Sequence, residues 1–216
     1  MTEISGPRFG PASNGQVRQL IVLLHGWGAD GNDLIELAPH WSGDLPDAAF
    51  VSPHAPFECD VGFGRQWFSL GDRTPEHMLA GVRAAAPILD KFLDTELKRL
   101  GLTDRQLALV GFSQGTMMSL YAAPRRALAC ACVLGYSGAL VAGDALKQEA
   151  RSKMPILLIH GAQDEMLPPQ RMIDAAAKLR AASFDVATDI RPDLGHSIDL
   201  PGLQMGGAFL KKHLAA

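Results

Sequence analysis

Gly111-Phe112-Ser113-Gln114-Gly115 places a serine two residues from a glycine on both sides. The apolar run 106–110 precedes it, and residues 116–123 follow with a helical composition closed by Pro124. A serine on a strand–turn–helix elbow presents its hydroxyl above a sheet. The glycines let helix and strand pass where a Cβ would clash. Without that context the pentapeptide is only a glycine-rich turn. With it, the chemistry expected is nucleophilic attack on an acyl carbon. Such a hydroxyl needs a base, a group that orients the base, and two N–H donors for the developing oxyanion.

Open α/β sheets gather functional groups at the carboxyl ends of their strands. The run 156–159 ends in His160-Gly161-Ala162-Gln163-Asp164-Glu165, and the run 186–190 ends in Arg191-Pro192-Asp193-Leu194-Gly195-His196-Ser197. Ser113, Asp164 and His196 therefore follow one another as nucleophile, acid and base. His25, His40, His54, His77, His160 and His213 compete for the role of base. His40 and His77 sit on or beside helices, His213 lies near the end of the closing helix, and His160 precedes the acid and reverses the order. Among the acids, Asp193 is too near His196 in sequence, and Asp199 with Pro201 suits a helix start. Glu165 stays open beside Asp164. For the oxyanion, the Gln114 N–H at the start of its helix is one expected donor. The loop His25-Gly26-Trp27-Gly28-Ala29-Asp30-Gly31 supplies the other, expected at Trp27; no Walker lysine supports a phosphate loop there.

These residues must be positioned by a regular frame. Short apolar runs alternate with longer helical patterns, the mark of a parallel sheet covered on both faces. Strands are expected at 20–24, 48–51, 107–110, 128–135, 155–159 and 186–190. Helices are expected from a cap at Asp33 through Trp41, over 75–100 with Pro87 as a kink or a break, over 168–182 and over 203–214. Residues 54–73 show no sustained period, and loops that long are uncommon unless they bind something. No repeat or composition shift divides the chain, so one domain over 1–216 is expected, without a separate cap domain.

The composition excludes other classes. With 216 residues, 47% hydrophobic content and a net charge of −3, the chain has an ordinary globular make-up and no electrostatic footprint for nucleic acid. No apolar stretch is long enough for stable membrane insertion. Residues 1–19 lack an apolar run after a basic start, so no secretory signal is expected. Three cysteines suggest neither a disulfide nor a metal framework, and alternation expects Cys130 and Cys132 on one face. Cytoplasmic residence follows as an expectation. No His-x-His or His-Glu-x-x-His spacing occurs, so neither metal nor cofactor is expected.

Five segments in order, Leu24-His25-Gly26-Trp27-Gly28, Gln66-Trp67-Phe68, Gly111-Phe112-Ser113-Gln114-Gly115, His160-Gly161-Ala162-Gln163-Asp164 and Gly195-His196-Ser197-Ile198, resemble the phospholipase/carboxylesterase family of small α/β-hydrolases. That family includes acyl-protein thioesterases and bacterial carboxylesterases. The resemblance implies an α/β-hydrolase fold and a metal-free serine hydrolase with Ser113, Asp164 and His196 as triad. It implies oxyanion amides at Trp27 and Gln114, a small-molecule ester, thioester or lysophospholipid as substrate, and a homodimer as the assembly of several members. Thr116 departs from the pattern where a further glycine is frequent. Trp27 replaces a common leucine and is expected to bring a ring near the acyl pocket. Residues 57–65 also differ, and are expected to form part of the substrate wall.

Phe57, Phe63, Trp67, Phe68 and Leu167 are the expected lining of the acyl pocket, with Phe63, Trp67, Phe68 and Leu167 as substrate contacts. A small chain without a cap implies an open site favouring short to medium acyl esters. A peptidase or lactone hydrolase uses the same triad, whereas a binding module on this scaffold has no need of all three groups.

Overall fold

The structure, a computed structural model, describes residues 3–214; residues 1–2 and 215–216 of the expected 1–216 span lie outside the described residues. The strands are β1 (Arg8–Phe9), β2 (Gln19–Leu24), β3 (Ala48–Val51), β4 (Phe57–Glu58), β5 (Arg65–Gln66), β6 (Leu107–Phe112), β7 (Cys132–Tyr136), β8 (Ile156–Gly161) and β9 (Val186–Arg191). The helices are α1 (Gly31–Ile35), α2 (Ala38–Ser42), α3 (Pro75–Leu100), α4 (Gln114–Ala122), α5 (Leu146–Glu149), α6 (Gln170–Ala181) and α7 (Leu200–Leu214). Seven strands form one sheet in the order β1-β3-β2-β6-β7-β8-β9, parallel except for the pairing of β1 with β3. β4 and β5 make a separate antiparallel hairpin.

The two-residue period of a strand divides the core. Leu20, Val22 and Leu24 join the cluster under α3, α4 and α6, while Ile21 and Leu23 join the cluster under α1, α2 and α7. Helices therefore cover both faces, as the alternating pattern requires. Each of these fully buried β2 side chains stabilises the fold by about 1.5–3 kcal/mol. Register aligns the carboxyl ends: Leu24 pairs with Gly111, Gly111 with Gly135, and Tyr136 with Ile159. The loops leaving β2, β6, β7 and β8 consequently open on one rim.

Local physics moves several boundaries. The cap of α1 is Asp30, not Asp33: its extended backbone lets the carboxylate accept the Asn32 N–H at 2.7 Å. The helix breaks before α2 because Pro39 has no N–H to continue the ladder. α3 runs unbroken through Pro87, which lies on its exposed side. β7 starts only at Cys132; Leu128 is exposed. Cys130 thus precedes the strand, and the two cysteines belong to opposite clusters instead of sharing a face. Asp199 caps the start of α7, its Oδ1 accepting the Gly202 N–H at 2.8 Å. β1 and the β4–β5 hairpin are too short to carry a sequence period.

Candidate active site

Ser113 stands between β6 and α4 with φ 54° and ψ −114°, a left-handed backbone that costs a non-glycine residue about 1–3 kcal/mol. Three contacts hold it there. Its N–H donates to the Tyr136 carbonyl at 2.9 Å. The Thr116 hydroxyl lies 2.8 Å from both the Gly111 and Tyr136 carbonyls, bracing the turn. Gly115 passes so close to β2 that a Cβ there would sit 1.7 Å from the Leu24 carbonyl oxygen, and one on Gly111 would sit 2.3 Å from the Thr116 nitrogen. The elbow needs both glycines for close approach. Thr116, the departure from the family pattern, is matched across the sheet by Gly135 and Gly138; a Cβ on Gly138 would come within 2.3 Å of its own.

Asp164 follows β8, only 4% exposed. Its Oδ1 accepts the N–H groups of Met166 at 3.0 Å and Leu167 at 2.8 Å. Its Oδ2 lies 2.7 Å from His196 Nδ1 and 3.1 Å from His160 Nε2. Three hydrogen bonds hold this carboxylate in one orientation and aim it at His196. The rival acids have other surroundings. Glu165 and Asp193 are exposed, and Asp199 pairs with Arg191 at 3.0 Å besides capping α7.

His196 lies in the loop after β9, half-buried. Its ring packs on that of Phe112, the residue before the serine, with centroids 5.0 Å apart. One loop further, the Ser137 hydroxyl reaches the Ser197 carbonyl at 3.4 Å. Since Nδ1 faces a carboxylate, it carries the proton, and Nε2 is left as the lone pair. Three other imidazoles are engaged elsewhere. His54 Nδ1 accepts the Gly31 N–H at 3.1 Å, His77 Nε2 contacts the Ser69 carbonyl at 3.2 Å, and His213 stacks on Phe209.

His25 is fully buried, and burial pushes its pKa down to about 4. Its Nε2 accepts the Ala55 N–H at 2.9 Å, so Nδ1 donates to the Gly26 carbonyl at 2.7 Å. A neutral imidazole thus sets the path of the loop that follows β2. A Cβ on Gly26 would lie 3.3 Å from that of Ser113, which puts this loop beside the serine. The glycines at 26, 28 and 31 have the spacing of a dinucleotide loop. Here Gly26 serves close approach to the elbow, Gly28 takes a left-handed φ of 80°, and a Cβ on Gly31 would sit 2.0 Å from the Ser52 carbonyl oxygen; a Cβ on Gly64, just before β5, would come 2.0 Å from the Gly28 carbonyl oxygen. The backbone N–H groups of Trp27 and Gln114 donate to no protein acceptor among the described residues.

The hairpin is tied to that loop. Gly28 N–H donates to the Arg65 carbonyl at 3.0 Å, and Arg65 N–H to Ala29 at 2.8 Å. The Trp27 indole N–H donates to Gln66 Oε1 at 2.8 Å, and Gln66 Nε2 to Asp60 Oδ1 at 2.7 Å. Hydrogen bonds from Gln66 and Ser69 hold the Asp60 carboxyl below the usual carboxylate range. Gln114, 1% exposed, ties the next stretch: its Oε1 accepts the Trp67 N–H at 2.8 Å and its Nε2 donates to the Phe68 carbonyl at 2.7 Å.

Two expected substrate contacts are corrected by burial. Trp67 is 0% exposed, its indole N–H donating to the His25 carbonyl at 3.0 Å. Phe68 is buried in the core against Gly81 of α3. Neither ring reaches solvent, so both belong to the frame under the site. Phe63, by contrast, is 70% exposed, with its ring edge beside Gly28, and Leu167 is half-buried next to Asp164. Met166, strongly exposed in the acid loop, escaped the sequence reading, as did the contact of His160 with Asp164. The only sign of the latter was a histidine at a strand end four residues before the acid. Among the described residues, no group of three or more His, Cys, Asp or Glu side chains could hold a metal ion, and no helix is long and apolar enough to cross a membrane.

A family model described as phospholipase/carboxylesterase matches residues 11–214. Esterase YpfH of Escherichia coli (strain K12) is 31% identical over 187 residues, covering 87% of this chain and 79% of its own. Acyl-protein thioesterase 1 of Gibberella zeae is 27% identical over 226 residues, covering 96% and 95%. The crystal structure of esterase PE8 superposes with a TM-score of 0.94 at 40% identity, over 98% of this chain and all of that one.

Proposed function

The chain belongs to the phospholipase/carboxylesterase family and is a carboxylic ester hydrolase; from that premise we propose that it works by two-step acyl transfer through Ser113, His196 and Asp164. His196 Nε2 takes the hydroxyl proton as Ser113 Oγ attacks the carbonyl carbon. The electron pair of the C=O bond moves to oxygen, and the oxyanion rests on the N–H groups of Trp27 and Gln114. The imidazolium then gives its proton to the leaving alcohol or thiol, and the acyl group stays on the serine. Water, activated by the same imidazole, releases the acid. Asp164 stays ionised throughout and fixes the tautomer of His196.

The observation that carries this reading is the 2.7 Å contact between Asp164 and His196, with the imidazole seated on the residue preceding a strained serine. Phe63 and Met166 stand open to solvent near the oxyanion loop and the acid loop, which suits short to medium acyl groups on a shallow surface. Thioester cleavage is the second reading. It needs no further residue, since a thiol leaves more easily than an alcohol, and it is favoured by the acyl-protein thioesterase relative. Buried, unpaired Cys59, Cys130 and Cys132 support residence in the reducing cytoplasm.

A panel of p-nitrophenyl esters, acyl thioesters, lysophospholipids and triglycerides, assayed with the wild type and Ser113→Ala, tests the proposal. Short p-nitrophenyl esters should be turned over faster than long-chain triglycerides, and every activity should fall by orders of magnitude in the variant. Faster turnover of long-chain triglycerides contradicts the shallow site.

A further inference from the structure

His160 is 0% exposed and takes no part in the acyl transfer just described. It cannot meet a substrate, yet it touches the acid of the site. Its Nε2 lies 2.8 Å from the Leu167 carbonyl oxygen and 3.1 Å from Asp164 Oδ2. Both neighbours are acceptors without hydrogen, so Nε2 must carry the proton; it donates to the Leu167 carbonyl and lies against Asp164 Oδ2. Its Nδ1 is buried with no hydrogen-bond partner. A bare lone pair is tolerable there, whereas a proton on Nδ1 would create an orphaned donor on a buried cation. Geometry therefore places the hydrogen on Nε2.

We propose that His160 is a positioning residue for ester hydrolysis, an imidazole whose Nε2–H ties down the acid loop through the Leu167 carbonyl and whose ring lies against the Asp164 carboxylate that orients His196. This rests on the catalytic reading of Ser113, Asp164 and His196. Oδ1 is pinned by two backbone N–H groups of its own loop, and Oδ2 is hydrogen-bonded to His196 Nδ1 with the His160 ring in contact at 3.1 Å. From β8, His160 limits rotation of the carboxylate about Cβ–Cγ by contact, its ring nitrogen lying 3.1 Å from Oδ2. The same N–H holds the Leu167 carbonyl, so the acid loop and the carboxylate share one anchor on the sheet. A lysine or arginine at that place would offset the charge that stabilises the His196 imidazolium, whereas an uncharged donor orients the acid and leaves its charge available.

Glutamine and asparagine separate this role from bulk packing. Glutamine can place an amide N–H near the Nε2 position, and asparagine only near Nδ1. His160→Gln should keep kcat within about threefold of wild type, whereas His160→Asn and His160→Leu should lose roughly 10–100-fold in kcat, as outer partners of functional groups do, with KM little changed. The Nδ1 proton resonance of His196, read by NMR on the folded fraction, should persist in His160→Gln and vanish or move in His160→Asn. Full kcat in the asparagine and leucine variants, or equal losses in glutamine and asparagine, overturns the inference. Asp164→Asn and His196→Ala run alongside: if those retain wild-type turnover, the catalytic reading itself fails. If they collapse while His160→Leu does not, only the role of His160 is rejected.

Discussion

Removal of the Gln114 side chain tests how the elbow is coupled to the stretch that follows the hairpin. In Gln114→Ala the backbone N–H assigned to the oxyanion stays, and the two side-chain hydrogen bonds at 2.8 and 2.7 Å go. The Trp67 N–H and the Phe68 carbonyl are then left in a dry interior, since both residues are buried. Each orphaned group costs about 1–3 kcal/mol, so the variant should lose about 2–6 kcal/mol of stability. That is a large share of the roughly 5–15 kcal/mol typical of a folded domain. In urea, with a slope of about 2 kcal/mol/M, the midpoint should fall by about 1–3 M. Tryptophan fluorescence is the natural readout, because Trp67 lies on the broken contact. A loss below about 1 kcal/mol would mean that water or a shifted backbone replaces the amide, and the coupling argument would be refuted.

His25 should leave a signature in acid. Its folded pKa of about 4 lies below the ordinary 6.5, so the unfolded chain takes up the proton first. Stability is therefore complete above about pH 6.5, falls by about 3 kcal/mol as pH drops toward 4, and levels off below. His25→Asn should be less stable overall but show a flatter decline across that window; an unchanged slope counts against the assignment. At the hairpin, Gly64→Ala sets a Cβ 2.0 Å from the Gly28 carbonyl oxygen at φ 67°, whereas Gly62, at φ 83°, has nothing within 4 Å. The first substitution should displace the Trp27 amide and lower kcat by about 10²-fold, and the second should cost only backbone strain. Equal effects on kcat would uncouple the hairpin from the oxyanion. Chelation by EDTA should leave turnover unchanged, and a loss reversed by a divalent cation would contradict the metal-free mechanism.

The elbow was readable in the sequence because its requirements are local: two glycines at fixed spacing, a strand before and a helix after. The order of acid and base followed from strand ends. Asp164 against Glu165 could not be decided that way, because neighbouring residues in a loop differ only in which direction the backbone sends them. The fold buries Asp164 and leaves Glu165 exposed, which supports the first as the acid. Trp67 and Phe68 looked like a substrate wall because they are aromatics in an aperiodic stretch. Their place under α3 depends on packing between segments far apart in the chain. The partner of His160 was equally invisible, since it rests on a loop turning back over a strand end. Cys130 and Cys132 show the limit of periodicity: alternation applies only once the strand has begun.

The most direct measurement is the site of covalent capture. After treatment with a fluorophosphonate, peptide mapping by mass spectrometry should find the adduct on Ser113, formed slowly in His196→Ala and absent in Ser113→Ala. An adduct that persists at wild-type rate in Ser113→Ala, on any other side chain, would contradict the account.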